Sequence, residues 1–318
     1  MLVVPRTAVT SFSLREQLGP IRFQFRDGSG GGRVLTLDNP RLLPISDFPR
    51  RARDELGVDL VETVGFHFTG LDDPEIPRFE KALVDADVGL VDMALDMGDL
   101  LDPDEERRAG DIAVLKEWIA RFAAMGSSFV RVNPGSPLSP WEAGEPPAHL
   151  AAALVELGEF ARAEGTRLLV ENHGGPSGNP GWLHALLDEV GSEHCGLLLD
   201  LGNLEPLLSA LMKVASDPPE SGTLDLAASL SALDLSPLYA GLESLAPRAE
   251  LVSVKTNWVA ADGTVGAVDL DRAMAILVSH GYDGVLSIEY EGFGGDPWAK
   301  TRRVVDVARE AYIAAQAQ

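Results

Sequence analysis

The segment Arg167–Gly174 reads Arg-Leu-Leu-Val-Glu-Asn-His-Gly, an apolar run that stops abruptly on a carboxylate, an amide and an imidazole. The same design recurs downstream. Leu197, Leu198 and Leu199 lead into Asp200, with Asn203 following; Leu251–Lys255 carries Ser253 and Lys255; Ser287 and Ile288 lead into Glu289. Side chains two apart on a strand share a face, which pairs Glu171 with His173, Ser253 with Lys255, Ser287 with Glu289 and Glu291, and Arg131 with Asn133. If these faces meet in one cavity, carboxylates, cations and hydrogen-bonding groups converge there. That combination suits a polyhydroxylated ligand and suits an apolar metabolite poorly. His67, at the end of the second apolar strand, either lines the same mouth or is a satisfied core histidine.

Ionisable groups at the carboxyl ends of short apolar strands need a scaffold that brings those ends to one rim. The pattern predicts strands at Thr7–Leu14, Asp59–Phe68, Gly89–Asp96, Phe129–Asn133, Arg167–His173, Gly196–Asp200, Leu251–Lys255 and Val285–Glu291. Helices are expected over Ser46–Leu56, capped by Ser46 or Asp47, then Pro77–Asp85, Asp104–Met125, Ala148–Glu164, Pro180–Val190, Leu238–Leu245, Leu270–His280 and Pro297–Ala315. Strand followed by helix, eight times over, fits a closed (β/α)8 barrel better than an open doubly wound sheet. No linker splits the chain, so residues 1–318 are expected to form one barrel domain. Two interruptions stand out: Ile21–Asp38 reads as a hairpin inserted after strand one, and Ser216–Ser236 as an insertion after strand six. The glycines at Gly28–Gly32 suggest a mobile cover over the rim.

The totals narrow the function classes. With 318 residues and 45% hydrophobic composition the chain can bury a large core. Lys plus Arg number 26 against 49 Asp plus Glu, a net charge of −23 that repels nucleic acid and anionic membranes. A single cysteine, Cys195, excludes an internal disulfide and a cysteine-rich zinc module. No secretory leader pattern or long apolar span is visible, so a cytoplasmic protein is expected. A homo-oligomer is compatible with these totals and nothing in the sequence requires one.

Four motifs in order resemble the sugar phosphate isomerase/epimerase superfamily, the xylose-isomerase-like barrels: Glu171-Asn172-His173-Gly174-Gly175, Leu199-Asp200-Leu201-Gly202-Asn203, Ser253-Val254-Lys255, and Tyr282-Asp283-Gly284 running through to Glu289. The resemblance implies a sugar or polyol as small-molecule partner and one divalent metal (Mn, Mg, Zn or Co) held by Glu171, Asp200 and Glu289. It implies that the two glutamates also move protons. Two positions depart from the family pattern. Ser253 stands where a histidine is usual, and its neutral hydroxyl is a poor ligand for zinc or manganese. Asn203 also stands where many relatives carry histidine; it can bind a hydroxyl but cannot act as an acid or base.

For keto-sugar isomerisation or epimerisation a base removes a proton next to a carbonyl while positive charge stabilises the enediolate oxygen. Glu171 and Glu289 are the expected proton carriers, a metal the expected Lewis acid, and Lys255 the reserve electrophile. His173, Lys255, Arg131, Asn203 and His67 are the expected substrate contacts, with Trp258, Trp298 and Phe293 as candidates for an apolar wall. A dehydratase or lyase acting on a keto-polyol begins with the same enolisation. A sugar-binding barrel that has lost turnover is the alternative that Ser253 and Asn203 favour.

Overall fold

The computed structural model describes residues 3–27, 29–135, 140, 144–216, 226–230 and 232–317. Eight parallel strands close into a barrel: β1 (Thr7–Thr10), β2 (Leu60–Val64), β3 (Gly89–Leu95), β4 (Phe129–Val132), β5 (Arg167–Glu171), β6 (Gly196–Asp200), β7 (Ala249–Thr256) and β8 (Val285–Tyr290). Each pairs with its sequence neighbours, and β8 closes on β1 with Ala8 opposite Ser287. The strands read as nearly continuous apolar runs because both faces are covered, the inner by the barrel core and the outer by helices. Alternation sorts them: Ala8, Leu60, Val91, Leu169, Leu198, Leu251 and Val285 pack together inside the barrel. Their neighbours, such as Leu168, Leu197, Val252 and Leu286, join the larger core beneath the helices.

Strand ends differ from the expected spans where local hydrogen bonds turn the chain. β1 stops at Thr10, whose side chain accepts from Phe12 N and starts a 3-10 helix over Ser11–Gln17. β2 stops at Val64, followed by a 3-10 turn at Gly65–His67. The expected Ser46–Leu56 helix is instead a 3-10 turn (Ile45–Asp47), one α turn (Phe48–Arg51) and a π turn (Ala52–Leu56). Neither Ser46 nor Asp47 caps it through its side chain, and Ser46 Oγ donates to Glu75 Oε2 at 3.2 Å. Elsewhere the caps work as capping chemistry predicts, with Asp104 accepting from Arg107 N and Asn179 from Gly181 N, each at 2.9 Å.

The hairpin after β1 is present as antiparallel Ile21–Arg26 and Gly32–Leu37, at the carboxyl-terminal mouth of the barrel. Its tip is knitted together by one carboxylate: Asp27 Oδ1 accepts from Ser29 N at 3.0 Å and Gly31 N at 2.9 Å. Arg26 ties the hairpin to the barrel, donating to Asp111 Oδ1 at 2.8 Å and lying 3.7 Å from Asp102 Oδ2. Gly28 lies outside the described residues, as do residues 217–225 and 231 of the expected insertion after β6; a helix at Leu207–Ser216 leads into that insertion and a short one at Leu226–Leu230 lies within it. No described helix is long and apolar enough to cross a membrane.

Candidate active site

A cavity of about 340 Å³ opens at the carboxyl-terminal mouth, a volume within the range of small-molecule sites. Its floor is made by the inward side chains one layer above the inner apolar ring. On one side stands Arg131, from β4, buried among Asp96, Glu171 and Asn133. Its guanidinium pairs with Asp96 and donates to Asn133 Oδ1 at 2.8 Å. Its Nε lies 2.9 Å from Glu171 Oε2, a charge contact without hydrogen-bond alignment. Glu171 also meets His173 Nδ1 at 3.1 Å through Oε2 and accepts from Asn203 Nδ2 at 2.9 Å through Oε1. Burial alone would raise the Glu171 pKa, but the Arg131 and His173 charges outweigh it and hold the carboxyl well below its usual range. His173 shifts the opposite way: burial opposes its charge, Glu171 favours it, and the balance raises it.

The other side centres on Lys255 of β7. Its Nζ donates to Asn203 Oδ1 at 3.2 Å and lies 3.2 Å from Glu291 Oε1, 3.5 Å from Asp200 Oδ2 and 3.7 Å from Glu289 Oε2. Burial disfavours the ammonium, yet these carboxylates raise its pKa well above the ordinary value. Ser253 Oγ donates to Glu289 Oε2 at 2.9 Å. Burial, helped by Glu291 and Glu171 and opposed by Lys255, raises Glu289 above the usual carboxylate range. Asp200 is pushed up to about 8, chiefly by burial. Gly202 makes the Lys255 approach possible, since a Cβ there would stand 3.1 Å from the lysine Cδ and Cγ.

Of the residues singled out in the sequence, Glu171, His173, Arg131, Lys255, Ser253 and Glu289 line the cavity. Asp200 and Asn203 lie just behind them, Asn203 bridging Glu171 and Lys255. His67 does not reach the cavity. It is buried in the turn after β2 and its pKa is lowered to about 3 by burial and by Arg41, so it is a neutral core histidine. The aromatic wall is also made by other residues. Trp298 packs against Phe48 and donates to Gln17, Trp258 lies over Gly266, and Phe293 is exposed beside Arg15. Phe12, Phe23, Phe25 and Phe66 line the mouth instead.

Glu291, paired with Glu289 by alternation, joins the Lys255 group as that pattern implies. Three carboxylates were not singled out from the sequence pattern. Asp96 sits in the Arg131 group just described. Glu62 lies on the floor and accepts from Ser287 Oγ at 2.6 Å, with burial, Asp92 and Glu289 raising its pKa. Asp92 is fully buried, neither of its oxygens makes a well-formed hydrogen bond, and burial carries its pKa to about 7 against the pull of Arg131. Its inward aim comes from a bulge: the β2–β3 register shifts between Val61 and Glu62, so Val91 and Asp92 both face inward. A pair of aspartates, Asp92 and Asp96, in an otherwise apolar strand was the available signal.

A closed barrel, with its ionisable groups gathered at the carboxyl ends of β4 to β8, meets a match along most of its length. Residues 50–311 match the family described as the xylose isomerase-like TIM barrel. The chain belongs to this family. No curated protein matches it. Among solved structures, this xylose isomerase-like barrel is similar to an L-ribulose 3-epimerase at 16% identity, covering 98% of this chain and 96% of that one, with a TM-score of 0.65. A xylose isomerase-like barrel protein from Mycobacterium smegmatis in complex with magnesium is 18% identical over 98% and 97%, TM-score 0.60. A 3-keto-D-glucoside 4-epimerase from E. coli is 15% identical over 84% and 94%, TM-score 0.60. At these identities the likeness is one of fold.

Proposed function

We propose that this barrel is a sugar or polyol isomerase or epimerase in which Glu171 and Glu289 exchange a proton with carbon next to a carbonyl. The observation that carries the reading is the opposite setting of two glutamates on one cavity. Glu171 is kept ionised by Arg131 and His173, while burial raises Glu289 above the usual carboxylate range. Carboxyl groups whose environments drive their pKa values apart divide naturally into base and acid. In this reading Glu171 takes the proton and Glu289 returns one, each resetting between turnovers. Lys255 stays an ammonium and offers its charge to the developing enediolate oxygen, so it acts as electrophile and not as a nucleophilic amine. His173 and Arg131 orient hydroxyls from the Glu171 side. The epimerase neighbours support the class of reaction without naming the sugar.

The family resemblance supports a divalent metal in general, and Glu171, Asp200 and Glu289 are the oxygens that would hold it. The arrangement of this chain does not fit one. Lys255 Nζ already stands within 3.7 Å of Asp200 and Glu289, and Arg131 within 2.9 Å of Glu171. Among the described residues no group of three or more His, Cys, Asp or Glu side chains is set to hold an ion. A cation entering here must displace an ammonium, and Ser253 adds no charge to help. The reading therefore routes no step through a metal.

The test is a screen of ketoses, inososes and their phosphates for exchange of a carbon-bound proton with deuterated water, using protein whose metal content has been measured. Exchange lost in Glu171→Gln and Glu289→Gln supports the reading. Saturable sugar binding with no exchange would replace it with a binding barrel.

A further inference from the structure

The cavity has two unlike surfaces. All of its catalytic charge lies on the floor, whereas the wall toward the mouth is built from Phe12, Phe23, Phe66, Leu35, Met97 and Met212. These come from five separate parts of the chain, so the wall is a product of folding and not of one apolar segment. Phe23 of the hairpin meets Phe66 of the barrel edge to face, with ring centroids 4.7 Å apart and planes at 62°, which fixes the two rings relative to each other. Leu35, directly opposite Phe23 in the hairpin, is 49% exposed. Apolar side chains left open beside a charged floor mark a surface that a ligand covers.

We propose that the substrate is a keto-sugar bearing a flat apolar substituent, such as an aryl glycoside whose ring carries a ketone, with its polar ring on the charged floor and the substituent against the Phe23–Phe66 wall. This inference rests on the isomerase reading for the polar end. Stacking on the face of an unsubstituted sugar would need one or two aromatic rings. Leu35 and Met97 add breadth that no ring of hydroxyls can use, because each hydroxyl facing them would lose its water without a partner. A phosphate fits no better. Among the described lining residues, the cations Arg26, Arg131 and Lys255 are each held by carboxylates, so a dianion would meet no free charge. The hairpin thereby selects the substrate: its anchoring through Arg26 holds the wall in place before the ligand arrives.

Calorimetric titration of matched phenyl and methyl glycosides of glucose, galactose and xylose tests this. The phenyl member should bind at least about tenfold more tightly, close to 1.4 kcal/mol. The preference should vanish in Phe23→Ser and shrink in Leu35→Ser, a half-exposed site whose substitution leaves folding intact. Equal affinity of phenyl and methyl members, no binding of any phenyl glycoside, or a preference untouched by both substitutions overturns the proposal. Proton exchange separates it from the catalytic reading. If phenyl glycosides bind with the expected preference and no ketose exchanges, the isomerase reading fails and the ligand class stands. If ketoses exchange while phenyl and methyl glycosides bind alike, the ligand class fails alone.

Discussion

The Arg131 side and the Lys255 side of the cavity floor are made of the same residue types, yet they reach opposite electrostatic settings. Around Arg131, the carboxylates Asp96 and Glu171 are both held ionised, with Asn133, His173 and Asn203 supplying further contacts. Around Lys255, one ammonium is shared among Asp200, Glu289 and Glu291, and two of these three carboxyls are driven toward the protonated form. A planar guanidinium offers several fixed donors and binds its partners closely, whereas a single ammonium at 3.2–3.7 Å cannot neutralise three buried charges. Arg131 holds Asp96 and Glu171 as anions, whereas burial outweighs Lys255 at Asp200 and Glu289 and raises both.

The sharpest way to break this contrast is to remove each cation. Arg131→Met should cost about 3–5 kcal/mol of stability, because it leaves Asp96 and Glu171 buried without their partner. Lys255→Met should cost less, since Asp200 and Glu289 can answer by taking up protons. Urea unfolding of both variants measures the difference, and equal losses would mean that the two sides are not distinct.

Catalysis probes the same contrast. Glu289→Gln and Glu171→Gln should each lower turnover by more than roughly a hundredfold, the scale of lost general acid–base catalysis. The pH profile of the wild type should show a basic limb displaced upward by the raised pKa of Glu289 and no acid limb in the ordinary carboxylate range, because Glu171 is held below it. Near wild-type rates in both variants would remove the acid–base roles.

With Lys255 holding Asp200 and Glu289, the wild type should bind manganese or zinc weakly or not at all, and Ser253→His, which adds an imidazole beside Glu289, should raise that affinity by about tenfold or more. Titration of both proteins measures it. Tight binding by the wild type, unchanged by the substitution, would show that the floor holds a cation despite Lys255.

The smallest effect concerns Asp92, beneath the Arg131 side. Its folded-state pKa is raised from 3.8 to about 7, so its contribution to stability is fully present below about pH 4 and is lost as pH rises through 7. Asp92→Asn should therefore melt like the wild type near pH 4 and higher near pH 8. Each kcal/mol gained corresponds to roughly 1–2 °C in a chain of 318 residues. Equal melting temperatures at both pH values would mean that Asp92 is not buried as an acid.

The sequence by itself determined the barrel and the polar ends of β5 to β8, because apolar runs, period-two alternation and helix caps are local properties of the chain. Glu171, Asp200, Ser253, Lys255 and Glu289 were legible for that reason. Tertiary structure decided the rest. A bulge turned Asp92 inward against the simple alternation, and no local rule predicts which strand will shift register. The partners of Arg131 and Lys255 come from neighbouring strands, so their capture of the carboxylates expected to bind metal is visible only once the barrel closes. His67 faces the core because β2 ends early in a 3-10 turn. The mouth wall joins Phe12, Phe23, Phe66, Met97 and Met212 across the chain, while Trp258 and Trp298, placed near the rim by sequence, are taken up in packing. Which apolar side chains face a ligand depends on how separate elements meet, and that is settled by the fold.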